Sequence, residues 1–171
     1  MTLPMEPTGA ELGSPVIEEA IRALLVDAGV SFEVLEHPPI EDAVHAAALR
    51  GTPLAIGGKT LLMKADRAFV LVATSAAGRL DSRRLRRHPG VRRLRFATRD
   101  ELLAQTGLIP GCVPPLGAPV FPLPLHADHA LVVNGRIAFT PGLRTRTFVM
   151  ASAEWLRVAS PVLGDFAGEP A

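Results

Sequence analysis

Apolar residues recur with helical spacing near the start of the chain. Ser14 and Pro15 are residue types that begin helices, and Gly29 is one that ends them. Between them, the apolar residues repeat at i, i+4 and i+8, so one face of the segment is continuously hydrophobic. This pattern predicts a helix from Ser14 to Gly29 that buries one face.

Alternating apolar and polar residues follow this helix, and alternation indicates strands. Residues 31–36 alternate and stop at a His-Pro-Pro sequence. Two apolar runs, 59–64 and 68–74, are separated by only three residues, which predicts a hairpin. The alanine-rich residues 41–50 lie between the first strand and the hairpin, and we expect a short helix there.

The second half of the chain predicts shorter elements. Helices are expected at 82–88, at 99–105 behind a capping box of Thr98 and Glu101, and after Ser152. Strands are expected at 92–96, 120–125, 131–134, 136–140 and 147–150, with a hairpin turn at Asn134-Gly135.

Strands outnumber helices in this interpretation, and the two do not alternate as they do in parallel α/β proteins. The predicted fold class is therefore α+β. We expect a single domain over residues 14–171, with a mixed, mostly antiparallel, barrel-like sheet flanked by helices. Residues 1–13 are expected to form a flexible N-terminal tail.

The composition is that of a globular protein. The chain has 171 residues, of which 48% are hydrophobic and 20% are charged, enough to bury a sizeable core. Its apolar runs are far shorter than the roughly 20 residues that cross a bilayer. The N-terminal residues lack the pattern of a secretory signal, and the lone Cys112 cannot form an internal disulfide. These features predict a cytoplasmic protein.

A formal net charge of +1 conceals a local excess of arginine. Nine of the sixteen arginines lie between positions 79 and 99, beginning with Arg79 and Arg83, whereas the chain has only two lysines, Lys59 and Lys64. Guanidinium groups bind phosphates well, so this stretch is a candidate contact for nucleic acid. A solvated helix face would carry the same charges without a ligand, and the sequence leaves both interpretations open.

Residues 106–124 form an unusually rigid segment, because they hold six of the sixteen prolines and three glycines. Glycine allows a ligand to approach the backbone closely, and proline stiffens the chain so that the remaining N–H groups keep fixed directions. Such a loop can form an oxyanion hole, in which backbone amides stabilise the negative oxygen of a hydrolytic transition state. An ordinary connecting loop is the alternative.

Other candidate groups carry weaker signals. Cys112 lies inside the rigid segment, but no motif supplies the base or the lowered pKa that a nucleophilic thiol needs, so a small buried hydrophobe is the competing interpretation. His126, Asp128 and His129 come nearest to a cluster of metal ligands, yet they lack the spacing of known zinc motifs. We predict no metal.

Several short motifs occur in a characteristic order. Lys-Thr-Leu at 59–61 opens a strand, Arg-Leu-Asp at 79–81 precedes a basic helix, and Ala-Thr at 97–98 precedes Glu-Leu at 101–102. Thr106-Gly107 then leads to Gly-Cys-Val-Pro-Pro-Leu-Gly at 111–117. Over about residues 14–155, this order resembles the YbaK/prolyl-tRNA synthetase-associated editing domain superfamily. Members of that family are deacylases that hydrolyse mischarged aminoacyl-tRNA without a metal or other cofactor.

The resemblance implies a set of catalytic residues. The family's GxxxP motif falls on Gly111 and Pro115, and the amides of this loop, which includes Cys112 and Val113, would bind the aminoacyl carbonyl and the developing oxyanion. The family's lysine falls on Lys59, which is expected to hold the 3′-terminal nucleotide or its phosphate. Further contacts to substrate or tRNA are expected at Thr60, Asp128, Gly142, Arg79 and Arg83.

By this resemblance, the protein is a trans-acting aminoacyl-tRNA deacylase whose substrate is Ala- or Cys-tRNA charged on proline tRNA. The family's mechanism implies a water molecule activated by the substrate's own ribose hydroxyl. The expected partners are the 3′ end of aminoacyl-tRNA and prolyl-tRNA synthetase in trans. Two alternatives stay open: a noncatalytic module of the same fold that binds tRNA or synthetase, and a thiol hydrolase that uses Cys112.

Overall fold

The computed structural model describes residues 9–87 and 91–168. Its helices are α1 (Gly9–Leu12), α2 (Pro15–Asp27), α3 (Ala43–Arg50), α4 (Ser82–Arg86), α5 (Arg99–Thr106) and α6 (Ser152–Ala159). Its strands are β1 (Phe32–Glu36), β2 (Gly58–Ala65), β3 (Ala68–Ser75), β4 (Arg79–Leu80), β5 (Leu94–Phe96), β6 (Leu125–Asp128), β7 (Arg136–Phe139), β8 (Arg146–Ala151), β9 (Val162–Gly164) and β10 (Ala167–Gly168). In these residues, no helix has the length and apolar character that crossing a membrane requires.

The helices begin where the sequence signals predict. The Ser14 side chain accepts a hydrogen bond from the amide of Ile17 at the start of α2. At α5, the Thr98 side chain caps the amide of Glu101 while the Glu101 carboxylate accepts from the amide of Thr98, which is the predicted capping box. Local sequence therefore fixes both helix starts.

The strands of the described residues form three sheets. The largest has the order β5-β2-β3-β6-β9, in which the predicted hairpin β2–β3 is antiparallel and the pairs β3–β6 and β6–β9 are parallel. An antiparallel sheet has the order β1-β8-β7, and β4 pairs with β10. The α+β class with a mixed sheet is confirmed. The sheets do not close into a barrel, because β5 and β9 are separate edges of the largest sheet.

The rigid segment is part of the hydrophobic core. Leu108, Cys112 and Leu116 are each at most 2% exposed and pack in the same cluster as Trp155 of α6 and Ile21 of α2. Burial of these side chains therefore anchors the segment in the core, whereas most loops run over the protein surface.

Two predicted strands are wrong. Residues 118–123 form turns, in which the amides of Val120 and Phe121 both donate to Gly117 O, and β6 begins only at Leu125. The strand predicted at 131–134 is replaced by a turn of 3₁₀ helix over His129–Leu131. The expected hairpin at Asn134-Gly135 is therefore absent, and β7 pairs with β8.

The end of the predicted N-terminal tail is hydrogen-bonded to the domain. Residues 1–8 of the predicted tail, and the end of the predicted helix at His88, lie outside the described residues. Residues 12 and 13 are attached to the domain instead: Arg144 donates its amide to Leu12 O at 2.8 Å, and Gly13 bridges Leu143.

Candidate active site

A cavity of about 670 Å³ opens between α3, the start of β2 and the loop that follows α5. This volume is in the range of small-molecule binding sites. Residues 57–61 form one wall, Arg50 and the residues around the start of α3 form a second, and 109–111 with Val113 form a third. Thr140 and Arg144 complete the lining on the side of β7. The structure thus brings Lys59, Thr60, Gly111 and Val113 of the predicted site together.

The loop presents free backbone amides at this cavity. Gly111 has a φ of 88°, a conformation that favours glycine, and a Cβ built there would meet no atom within 4 Å. Among the described residues, the amides of Gly111 and Val113 have no hydrogen-bond acceptor, whereas that of Cys112 donates to Ile109 O at 3.2 Å. Two of the three expected donors are therefore available to a ligand.

Buried hydrogen bonds hold the loop in place. The amide of Gly142 donates to Cys112 O at 2.9 Å, and the indole N–H of Trp155 donates to Pro115 O at 2.8 Å. Gly142 lies behind the loop rather than in the cavity lining, and a side chain there would press against Ile17. Pro115 and Gly142 thus support the loop, and fixed donors of this kind need no reorganisation when charge develops on a substrate.

Strand β2 supplies the side chains of the facing wall. The half-buried Lys59 makes no hydrogen bond or ion pair with any described residue. The hydroxyl of its neighbour Thr60 is buried and also has no partner in the described chain. Lys64 lies on the opposite face of the strand, with its ammonium 5.4 Å from the centroid of the Phe69 ring. Only one of the two lysines therefore reaches the cavity.

Arg50 is a cavity residue that the sequence analysis missed. It is the last residue of an alanine-rich helix, and a single arginine in that position carries no recognisable signal. Burial lowers the pKa of its guanidinium to about 10, so the group stays charged at neutral pH. Arg99 and Arg144 also line the cavity, as do the carboxylates of Glu11, Glu41 and Asp42.

Besides Gly142, three of the expected contacts lie away from the cavity. Arg79 and Arg83 are exposed on β4 and α4 and are absent from the lining. Asp128 is 3% exposed at the end of β6. Its carboxylate accepts three backbone hydrogen bonds, from Ala130, Phe166 and Ala167, at 2.6–2.8 Å. In this position Asp128 fastens the C-terminal segment to the sheet.

We expect Asp128→Ala to destabilise the protein by about 3 kcal/mol or more, because three amides lose their acceptor. Thermal unfolding measures this loss, and Asp165→Ala is the control, since Asp165 is an exposed aspartate of the same segment whose side chain is 79% accessible. A variant that keeps the wild-type melting temperature but loses substrate affinity would restore the original prediction of a substrate contact.

Cys112 is not placed as a nucleophile. The residue is fully buried, and its Sγ faces Leu12 O at 3.7 Å rather than the cavity. Burial raises the pKa of the thiol to about 11, against a smaller opposite effect of the Arg144 charge. Because the thiolate is the reactive form, this environment keeps the thiol inert at neutral pH.

We therefore expect Cys112→Ala to retain the activity of the wild type. The lost sulfur contacts should cost about 1 kcal/mol of stability, which chemical denaturation would detect. Alkylation of the native protein with iodoacetamide should likewise leave activity intact, with the unfolded protein as the positive control for labelling. Loss of activity in a folded Cys112→Ala variant would favour the thiol hydrolase.

Unpaired loop amides and cationic side chains in the lining of one open cavity are the arrangement expected of a hydrolase for an acyl group carried by an anionic molecule. The sequence model of the aminoacyl-tRNA editing domain matches residues 37–158, and the chain belongs to that family. The predicted family and the predicted class of enzyme, an aminoacyl-tRNA hydrolase, are confirmed.

Individual relatives agree with this assignment. The Multifunctional Ser/Thr-tRNA deacylase ProXp-y of Escherichia coli (strain K12) is 31% identical over 157 residues, which cover 88% of this chain and 93% of the relative. A solved structure described as a candidate trans-editing enzyme for prolyl tRNA synthetase has a TM-score of 0.79 at 27% identity, over 91% of this chain and 98% of that one. A scaffold protein used for computational epitope grafting also has a TM-score of 0.79, at 25% identity over 91% of this chain and 99% of that one.

Proposed function

We propose that this protein acts in trans to remove a wrongly attached small amino acid from the 3′ end of tRNA. The observation that carries the proposal is the pair of free amides at Gly111 and Val113, which share one cavity with the unpaired Lys59. A tRNA 3′ end offers both partners, an ester carbonyl for the amides and a phosphate for the ammonium group.

The loop amides supply the main catalytic effect in this proposal. The ester carbonyl binds at Gly111 and Val113, so that the negative oxygen formed when water adds to the carbonyl carbon receives two N–H donors. Collapse of this intermediate breaks the bond to the ribose oxygen and releases the free amino acid and a tRNA with its hydroxyl restored. Each such donor contributes about 10²–10³-fold to the rate.

The proton of the attacking water needs an acceptor. Within the loop, the cavity residues Ile109, Pro110 and Val113 have no side chain that accepts a proton, and the acidic residues of the lining, Glu11, Glu41 and Asp42, belong to other segments. This supports activation of the water by the neighbouring ribose hydroxyl of the substrate. A tRNA that ends in a deoxyribose at that hydroxyl is expected to be a poor substrate.

The identity of the amino acid is the finer part of the proposal. The resemblance implies alanine or cysteine on proline tRNA, whereas the relative in Escherichia coli is named for Ser and Thr. Thr140 lines the cavity, and its hydroxyl oxygen accepts from Arg50, so the hydroxyl proton remains to be donated. A hydroxylated substrate could accept this proton and an alanyl group could not, so we favour seryl or threonyl groups.

The exposed arginines are candidate contacts for the rest of the tRNA. Arg79 and Arg83 have exposed guanidinium groups without an ion-pair partner in the described chain, and Arg99 joins their stretch of sequence to the cavity. Phosphates of the acceptor stem are the ligands that we propose for them. Prolyl-tRNA synthetase in trans is the proposed protein partner, and the cytoplasm, where aminoacyl-tRNA is made and used, is the proposed location.

A deacylation panel tests the function. Purified protein is incubated with tRNA carrying alanine, cysteine, serine, threonine or proline, and release of the amino acid is followed. We expect rapid release of one or more small noncognate amino acids, with prolyl-tRNA spared. Salt-sensitive tRNA binding without any release would contradict the proposal and favour the noncatalytic module.

A further inference from the structure

The guanidinium of Arg50 is held in the cavity wall by two hydroxyl groups. Its Nε donates to Oγ1 of Thr147 at 2.7 Å, and one terminal nitrogen, Nη2, donates to Oγ1 of Thr140 at 3.3 Å. These contacts join the end of α3 to the three-stranded sheet. The side chain therefore has a fixed direction, unlike that of a surface arginine.

The network behind Arg50 is fully satisfied. Nδ1 of His37 lies 2.9 Å from Pro38 O, which can only accept. Nε2 of His37 lies 2.7 Å from Oγ1 of Thr147, the same hydroxyl oxygen that accepts from Arg50. Because every group behind the guanidinium has its partner, the remaining donors of Arg50 are the ones left for a ligand.

The positive charge of Arg50 has no counterion in the described chain. Nη1 has no hydrogen-bond partner there, and no described carboxylate forms an ion pair with the group. Glu41 and Asp42, which line the same cavity, form no ion pair with it. Burying an uncompensated charge is costly, so a partly buried guanidinium that opens on a cavity indicates an anionic ligand.

The free end of Arg50 approaches the wall that holds Lys59. A Cβ built at Gly57 would be 3.7 Å from Nη1, and Gly57 is two residues before Lys59 on the approach to β2. The fork of Nη1 and Nη2 matches two oxygens of a phosphate, whereas the lysine acts as a point charge. Both cations line the same cavity.

From this geometry we propose that Arg50 is a substrate-binding residue, clamped by Thr140 and Thr147, that binds the 5′-phosphate of the terminal adenosine of tRNA. The ligand's identity rests on the proposed function, but the binding itself requires no hydrolysis. Adenosine 5′-monophosphate carries this phosphate and adenosine lacks it. The two compounds therefore isolate the contribution of the phosphate.

Calorimetric titration of the two compounds tests the proposal. We expect the wild-type protein to bind adenosine 5′-monophosphate about tenfold or more tightly than adenosine, as a charge-assisted phosphate contact requires. Arg50→Gln keeps a group that can bond the threonines but removes the charge, and it should abolish most of that preference. Arg146→Gln is the matched control, because Arg146 adjoins Thr147 on β8 but is absent from the cavity lining. Its preference should equal that of the wild type.

The outcomes separate the possible explanations. If Arg50 had a merely structural role, Arg50→Gln would weaken the binding of both compounds equally. The ratio of the two affinities would then stay unchanged, which would overturn the proposal. Equal binding of both compounds by the wild type would overturn it as well, whatever the stability of the variant. In a Lys59→Ala background, Arg50→Gln should lower the ratio further. If the deacylation panel fails while the preference depends on Arg50, the anion site stands and the proposed function does not.

Discussion

Gly111→Ala is expected to lower kcat for deacylation by about 100-fold or more, with little change in KM. Gly111 has a φ of 88°, and a Cβ there costs roughly 1–2 kcal/mol of backbone strain. We expect the loop to relieve this strain by rotating the peptide units that adjoin Gly111, which would turn the Gly111 amide away from the carbonyl of the substrate. No neighbouring atom lies within 4 Å of the new methyl group, so steric conflict does not confuse the result.

Single-turnover deacylation measures the effect, and thermal unfolding checks the fold. Gly107→Ala is the matched control, since Gly107 lies in the same segment with a φ of 72° but ends α5 outside the cavity lining. Both variants should lose similar amounts of stability, and only Gly111→Ala should have a lower rate of deacylation. Full activity in a folded Gly111→Ala variant would refute an oxyanion role for the loop.

Lys59→Ala is expected to raise KM for aminoacyl-tRNA by about ten- to a hundredfold, the range of one charge-assisted hydrogen bond, with a smaller effect on kcat. The side chain has no partner in the described chain, so its removal leaves no buried acid behind. The slope of log K against log salt should also fall by about one, because one phosphate contact is lost.

Lys64→Ala is the control for this prediction. Lys64 belongs to the same strand, and its substitution removes the same charge. Its ammonium, however, lies over the Phe69 ring on the other face of the strand. Its KM and salt slope should stay close to those of the wild type. An equal effect of both variants would indicate attraction by overall charge, and an unchanged KM for Lys59→Ala would exclude the lysine as a phosphate contact.

The two variants separate the two parts of the proposed mechanism. Donors that act only when charge develops on the carbonyl affect kcat, whereas a cation that binds the same phosphate throughout affects KM. The rigid loop and the β2 wall are different elements, so their effects should be close to additive in the double variant.

Sequence patterns predicted the elements whose signals are local. The helix that begins at Ser14, the capping box at Thr98 and the hairpin β2–β3 all follow from residues within one turn or one strand pair. A 3₁₀ turn over His129–Leu131 stands before the position of the strand expected at 131–134, and Asp128 caps it locally by accepting from the amide of Ala130. Only the second role of Asp128 is nonlocal: its other carboxylate oxygen accepts from the amide of Phe166, 38 residues away.

The candidate site was predicted in part. The Lys-Thr-Leu and GxxxP motifs led to Lys59 and Gly111, and the structure places both on one cavity. Arg50 was missed because its importance depends on Thr140 and Thr147, which are about 90 or more residues away in the chain. No spacing within a helix could report these contacts.

The sequence by itself determined the family and the class of reaction, because short motifs are properties of neighbouring residues. Only the tertiary structure decided which groups face the cavity. It buried the Cys112 thiol in the core, assigned Asp128 to the C-terminal segment and left Lys59 without a partner among the described residues. The reason is physical: burial and hydrogen-bond partners depend on the packing of distant segments, and these two properties decide whether a polar group supports the fold or binds a substrate.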